Sequence, residues 1–502
     1  MHIILQKYGI SETITKTSTI DLVKLNIITA KTQKLSQNPG DVYSWITDRN
    51  GNLKARIVLT DLIKRSLEIQ GSTADIWNPI LTWTIDDSVK FLGFSPEYKS
   101  LYLFSNVGRD RIGLIEMDIK TQKQKLIVDD PTSDMENIVI SHVSNKPIAA
   151  AAYPDYQKKY LLDSSYADLF EAFNSNEKKS INIISKDNQE RLATLTVMTS
   201  TNVSWFLYNR DTKEKELLAT RFSPEYSKKL SIMKPISYKS RDGLLINGYL
   251  TLPTGTSGKS LPMVLYVHGG PWSRDYWGLS PTVQLLSNRG YAVLQINFRG
   301  SSGYGRAFME AGKGEFAGKM HTDLIDGVDW VVGQGIADPD KIAILGQSYG
   351  GYASLVGLAF TPDVFACGVD VNGIANLETF LKSKDVKNDD YKIWYKWQTY
   401  VGDPENPEDL ETLKAKSPFF HVDKINKPLL IVQGAKDKRV PRSEADAMVK
   451  ALKSNNKEVK YILFPKESHY ILWWSNRFRM INNIENFFGE HLGGRRILTD
   501  SI

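Results

Sequence analysis

Five residues constrain this chain more than any others: Gly346-Gln347-Ser348-Tyr349-Gly350, the only G-x-S-x-G it contains. An apolar run at residues 341–345 precedes them, and residues 352–358 continue with helical character. A serine on so sharp a strand-to-helix turn needs small neighbours, because its backbone passes close to adjacent segments. The turn also lifts the hydroxyl above the sheet edge, at the positive end of the following helix. The motif therefore predicts a parallel sheet whose ligand-binding edge carries Ser348.

A serine hydroxyl is a poor nucleophile until a base takes its proton. On this kind of sheet the partners follow in the order serine, acid, histidine. Three histidines lie beyond Ser348: His421, His469 and His491. Asp437 follows the apolar run 428–432, and His469 follows the run 459–464, so both fall in loops at the edge that bears Ser348. His421 precedes Asp437 and breaks the order, and His491 sits in the C-terminal tail. Glu467 is only two residues from His469 and badly placed for the far ring nitrogen. Ser348, Asp437 and His469 are the candidate triad, and no metal or other cofactor is expected.

A tetrahedral oxyanion needs donors fixed in advance. One is expected from the backbone N–H of Tyr349, directly after the serine. The other is expected from His268-Gly269-Gly270-Pro271-Trp272, a loop after an earlier apolar strand, where glycines admit a close approach. His268, Gly269 and Trp272 are candidate substrate contacts. Arg299 reads equally as a structural residue or as one facing the site. The nearby Gly300-Ser301-Ser302-Gly303-Tyr304-Gly305 lacks the lysine ending of a phosphate loop and reads as a tight turn.

The two halves of the chain have different patterning. Residues 1–230 read as short β-rich runs, and those at 89–94, 99–105, 113–119 and 124–128 make a group the size of one propeller blade. Similar polar turns recur around Thr32, Thr121 and Thr212, 89 and 91 residues apart, as two blades of about 45 residues would give. The expectation is an N-terminal β-propeller of about five blades. Over residues 231–502, apolar runs at 260–267, 291–296, 341–345 and 428–432 alternate with helical segments at 323–333 and 443–453. That alternation predicts a parallel sheet covered on both faces, and the serine turn with its acid and histidine in that order makes the expectation an α/β-hydrolase domain.

Charge adds little. The 63 basic and 57 acidic residues are mixed along the chain, with no long basic run to suggest nucleic acid. Cys367 is the single cysteine, within an apolar run, so no internal disulfide forms. No run of about 18 apolar residues predicts a membrane span. The first residues lack the pattern of a secretory leader, so the chain as written is expected in the cytoplasm, or in the periplasm if a leader is missing. The sequence sets no oligomeric state and leaves a dimer open.

Taken together, the loop at 268–271, the segment Asn297-Phe298-Arg299-Gly300-Ser301-Ser302-Gly303-Tyr304-Gly305, the elbow through Gly351-Tyr352, Asp437 and His469 resemble the prolyl oligopeptidase family of serine peptidases. The acylaminoacyl-peptidase-like branch is the nearest in pattern. The resemblance implies a peptidase whose propeller covers the site and admits short peptides, with the N–H of Gly270 as second oxyanion donor. It also implies seven or eight blades, so a chain with about five begins inside the usual propeller. The dipeptidyl branch holds the substrate amino terminus with paired glutamates, and this chain has no Glu-Glu. A carboxylesterase acting on small acyl esters with the same triad is the alternative.

Overall fold

The computed structural model describes residues 2–8, 20–61, 63–73, 76–174, 177–389 and 391–496. Up to Thr220 the described chain forms five antiparallel sheets of three or four strands, each built from consecutive strands. The strands Val89–Phe94, Ser100–Ser105, Gly113–Asp118 and Gln124–Val128 pair as one meander. Leu101, Leu103, Ile115 and Met117 from this sheet bury against Ile46, Ala55, Leu67 and Trp83 from the sheet before it. Sheet-on-sheet packing of alternate apolar residues is what makes such runs fold as blades.

The recurring turns are real, but their register differs from the one the threonines suggest. Asn26, Asp118 and Asn209 each donate N–H to the carbonyl five residues on, at 2.9, 3.0 and 3.0 Å. Their side-chain oxygens accept the N–H of Thr29, Thr121 and Thr212. The next residues, Ala30, Gln122 and Lys213, have φ of 54, 58 and 63°. The equivalent threonine in the first turn is therefore Thr29, not Thr32. The three turns lie 92 and 91 residues apart, in the last hairpins of the first, third and fifth sheets.

Contacts divide the chain into two compact units. The first comprises Met1–Asp130, Ser144–Lys146 and Asp390–Lys396, and the second Pro131–Val143, Pro147–Asp389 and Trp397–Ile502. The change from small antiparallel sheets to one large sheet comes later, between Thr220 and Met233. Within the second unit, hydrogen bonds join the fourth and fifth antiparallel sheets to the large sheet and its helices. Tyr249 Oη donates to the Asp155 carbonyl at 2.9 Å, and Gln284 Nε2 to that of Ser200 at 3.0 Å.

The large sheet has eight strands: β1 (Met233–Lys239), β2 (Leu245–Thr251), β3 (Leu261–Val267), β4 (Ala292–Asn297), β5 (Ala337–Gln347), β6 (Cys367–Val371), β7 (Leu429–Gly434) and β8 (Val459–Phe464). Their spatial order is β1-β2-β4-β3-β5-β6-β7-β8, antiparallel through the β1–β2 and β2–β4 pairs and parallel thereafter. Every residue of β4, β6 and β7 is buried, as a sheet covered on both faces requires. Helices α1 (Lys319–Gly333), α2 (Tyr349–Phe360), α3 (Arg442–Ser454) and α4 (Trp474–His491) supply part of that cover. Cys367 lies in this core with no exposed surface, and burial holds its thiol protonated.

Candidate active site

The elbow forms because glycine is the only residue its flanks accept. A Cβ on Gly346 would lie 2.3 Å from the Gly350 carbonyl oxygen, and one on Gly350 would lie 2.2 Å from that of Val267. Between them Ser348 takes φ 61° and ψ −120°, and its side chain does not cap α2. It is partly exposed. The N–H of Tyr349 is the first of α2 and has no partner within the helix. Tyr349 itself is buried among Phe298, Phe316 and Tyr352.

Asp437 and His469 meet although 32 residues separate them: His469 Nδ1 and Asp437 Oδ2 are 2.7 Å apart. The other carboxylate oxygen accepts the N–H of Arg439 at 2.8 Å and of Val440 at 3.0 Å. These bonds fix the carboxylate plane. The loops of Asp437 and His469 interlock, with Lys436 N–H donating to the Glu467 carbonyl at 2.8 Å. Glu467 is occupied elsewhere, accepting from the N–H groups of Leu472 and Trp473 and from Asn476 Nδ2. His421 bonds the Ala415 carbonyl at 2.9 Å, and His491 faces Glu458 and the Phe487 ring. Neither stands in the Asp437–His469 pair.

The base loop is also tied to the elbow. Gln347 Nε2 donates to the His469 carbonyl at 2.8 Å, and Asn372 Nδ2 donates to the same oxygen at 2.7 Å. Among the described residues, no hydrogen bond joins Ser348 Oγ to the His469 ring. Such bonds are often long in unliganded sites and tighten with substrate. Sequence reasoning passed over both amides. Their only local signal is position, inside the G-x-S-x-G and at the carboxyl end of β6.

Gly269 passes directly over the elbow: a Cβ there would lie 3.4 Å from Ser348 Cβ and 3.1 Å from the Gln347 carbonyl oxygen. The loop 268–271 thus lies against the turn that bears Ser348, and Gly270 follows with φ 122°.

His268, Arg299 and Trp272 each make defined contacts within the chain. The ring of His268 stacks on Phe298 at 4.6 Å, with Nδ1 2.8 Å from the Gly269 carbonyl and Nε2 3.1 Å from Ser301 Oγ. Burial lowers its pKa to about 4, so it stays neutral and braces the loop from below. Arg299 is 3% exposed, its guanidinium bonded to Asp323 and Asp242 at 2.7–2.9 Å. Those bonds hold Asp242 far below the ordinary carboxylate range, while burial pushes Asp323 up against the same pull. Arg299 joins the turn after β1 to α1. Trp272 packs edge-on against Trp397 and Tyr400, at 5.6 and 5.1 Å.

Two carboxyls are enclosed near these loops, Asp275 a few residues after the 268–271 loop and Asp370 in the second-last position of β6. Burial raises each to about 7. Among the described residues, Asp275 Oδ2 and Asp370 Oδ1 have no hydrogen-bond partner. An aspartate whose folded pKa exceeds its unfolded value destabilises the fold as pH rises through the window between them. For Asp370 that window runs from 3.8 to about 7. Asp370→Asn is therefore expected to match wild type near pH 4 and to exceed it at pH 8 by on the order of a few kcal/mol. Unfolding midpoints that stay parallel from pH 4 to 8 would show that the carboxyl is not buried in its charged form.

Comparison with known proteins agrees with this architecture. The sequence profile of the prolyl oligopeptidase family, peptidase S9, matches residues 277–495. Dipeptidyl aminopeptidase BIII of Pseudoxanthomonas mexicana is 34% identical over 495 residues, covering 95% of this chain and 70% of the relative. The acylamino-acid-releasing enzyme of Arabidopsis thaliana is 32% identical over 235 residues, 47% of this chain and 31% of that enzyme. Among solved structures, a puromycin-hydrolyzing peptidase of Mycobacterium tuberculosis superposes with a TM-score of 0.80 at 19% identity, covering 100% of this chain and 78% of its own. The fold is an N-terminal β-propeller followed by a C-terminal α/β-hydrolase domain, and the chain is a serine peptidase. It belongs to the prolyl oligopeptidase family. The likeness to the acylamino-acid-releasing enzyme covers about half of the chain, whereas the dipeptidyl aminopeptidase matches nearly all of it.

Proposed function

We propose that this peptidase hydrolyses short peptides through an acyl-enzyme, with Ser348 as nucleophile, His469 as base and Asp437 as the acid that orients it. The observation that carries the reading is the 2.7 Å Asp437–His469 bond in a loop tied to the residue before Ser348. With Nδ1–H held by Asp437, Nε2 carries the lone pair that accepts the serine proton. Ser348 Oγ then attacks the scissile carbonyl, and the N–H groups of Tyr349 and Gly270 receive the developing oxyanion. Collapse passes the proton from Nε2 to the leaving amine. Water repeats the sequence on the ester and restores the serine.

A panel of aminoacyl, dipeptidyl and N-acyl-aminoacyl anilides, set beside p-nitrophenyl esters, tests this reading. Steady-state turnover of at least one short anilide is expected, and a p-nitrophenyl ester that is accepted should show a burst as the acyl-enzyme accumulates. The dipeptidyl arm is included because a dipeptidyl aminopeptidase is 34% identical over 95% of this chain. Hydrolysis of esters with none of the anilides would move the assignment to a carboxylesterase.

A further inference from the structure

We propose that Gln347 and Asn372 are positioning residues that hold the main chain of His469 and so align its imidazole with Ser348. The proposal rests on the triad assigned above. One hydrogen bond to Asp437 sets the ring's rotation, but it cannot stop the loop beneath from sliding along the sheet edge. The Lys436–Glu467 bond holds the loop two residues earlier, and the His469 carbonyl adds a restraint at the histidine itself. An amide oxygen has two lone pairs, and here both are filled by side-chain amides, Gln347 Nε2 at 2.8 Å and Asn372 Nδ2 at 2.7 Å.

The two donors come from different directions. Gln347 is the last residue of β5 and immediately precedes Ser348, so its bond runs straight from elbow to base loop. Asn372 follows β6, which lies between β5 and β7 in the sheet. It is fully buried, with φ 50°. Its own N–H donates to the Val432 carbonyl, and its Oδ1 accepts the N–H of Gly434, each at 2.8 Å. Gly434 ends β7, three residues before Asp437. Next to it, Ser348 N–H donates to the Val371 carbonyl at 2.9 Å.

The orientation of the Asn372 amide follows from these partners. Turning it over would set its NH2 against the Gly434 N–H and its oxygen against the His469 carbonyl. Only the arrangement found satisfies both. Asn372 thus couples the acid and base loops, Gln347 couples the nucleophile and base loops, and one carbonyl is the node they share. Neither side chain is assigned contact with substrate.

The test uses Gln347→Met, which keeps length and removes the donor, and Asn372→Ala, which removes the amide without adding a charge. Each is expected to lower kcat by about tenfold to a hundredfold, the effect of misplacing a reacting group by about an ångström, with KM within about twofold. Fluorophosphonate labelling of Ser348 should slow in step. The double variant should lose less than the product of the two, because both act on one oxygen. A second readout does not depend on turnover: the far-downfield proton of the His469–Asp437 bond, assigned by its loss in Asp437→Asn, should broaden in both variants. A folded Gln347→Met with kcat within twofold of wild type and an unchanged downfield proton would overturn the proposal. If Ser348→Ala stays active, the triad assignment fails, and the downfield proton alone then decides whether the amides hold the imidazole.

Discussion

Ser348→Ala lowers kcat by about four orders of magnitude or more, with an unfolding midpoint close to that of wild type. The separation of the two effects follows from the elbow. Ser348 Oγ caps no helix, so its loss leaves no buried group unpaired. The left-handed backbone at φ 61° is imposed by Gly346, Gly350 and the Val371 carbonyl, and alanine meets it on the same terms as serine. What disappears is the hydroxyl that the proposed mechanism uses to form the acyl bond. Steady-state kinetics and phosphonate labelling check the two halves of this result. Activity within tenfold of wild type would mean that another residue is the nucleophile.

Asp437→Asn is expected to cost about as much, on the order of 10⁴ in kcat, and the structure says why. Oδ1 of Asp437 faces two backbone donors, from Arg439 and Val440. An asparagine must keep its oxygen there, which turns its NH2 toward His469 Nδ1. That nitrogen then accepts a hydrogen bond, the ring proton moves to Nε2, and the base can no longer take the serine proton. Glu467 cannot substitute, since its carboxylate is engaged by Leu472, Trp473 and Asn476. A variant retaining a tenth of wild-type kcat would show that the carboxylate does not set the tautomer.

The parts of this site that could be read from the sequence are those enforced by sterics and chain order. Gly346 and Gly350 have no substitute where a Cβ would strike a carbonyl, so the elbow leaves a visible motif. Asp437 and His469 each follow an apolar strand, and strand ends place loops at one edge. For His268 and Arg299, polarity beside the 268–271 loop does not reveal which way the side chain faces. Their partners, Ser301, Asp242 and Asp323, lie 24 to 57 residues away in the chain. Gln347 and Asn372 were invisible for a related reason. A side-chain amide bonded to a carbonyl 122 or 97 residues away carries no periodicity. The propeller turns show the opposite error, since matching threonines by neighbouring lysines gave a spacing close to correct in a register set by Ala30, Gln122 and Lys213.

The lone thiol has a practical consequence. Cys367 is sealed within β6 and kept protonated, so maleimides and nitroxide reagents should leave the folded chain unmodified. A single cysteine introduced at an exposed position would then carry the only label, without first removing a native one. The protein is ready for fluorescence or spin-label distance measurements in its wild-type background.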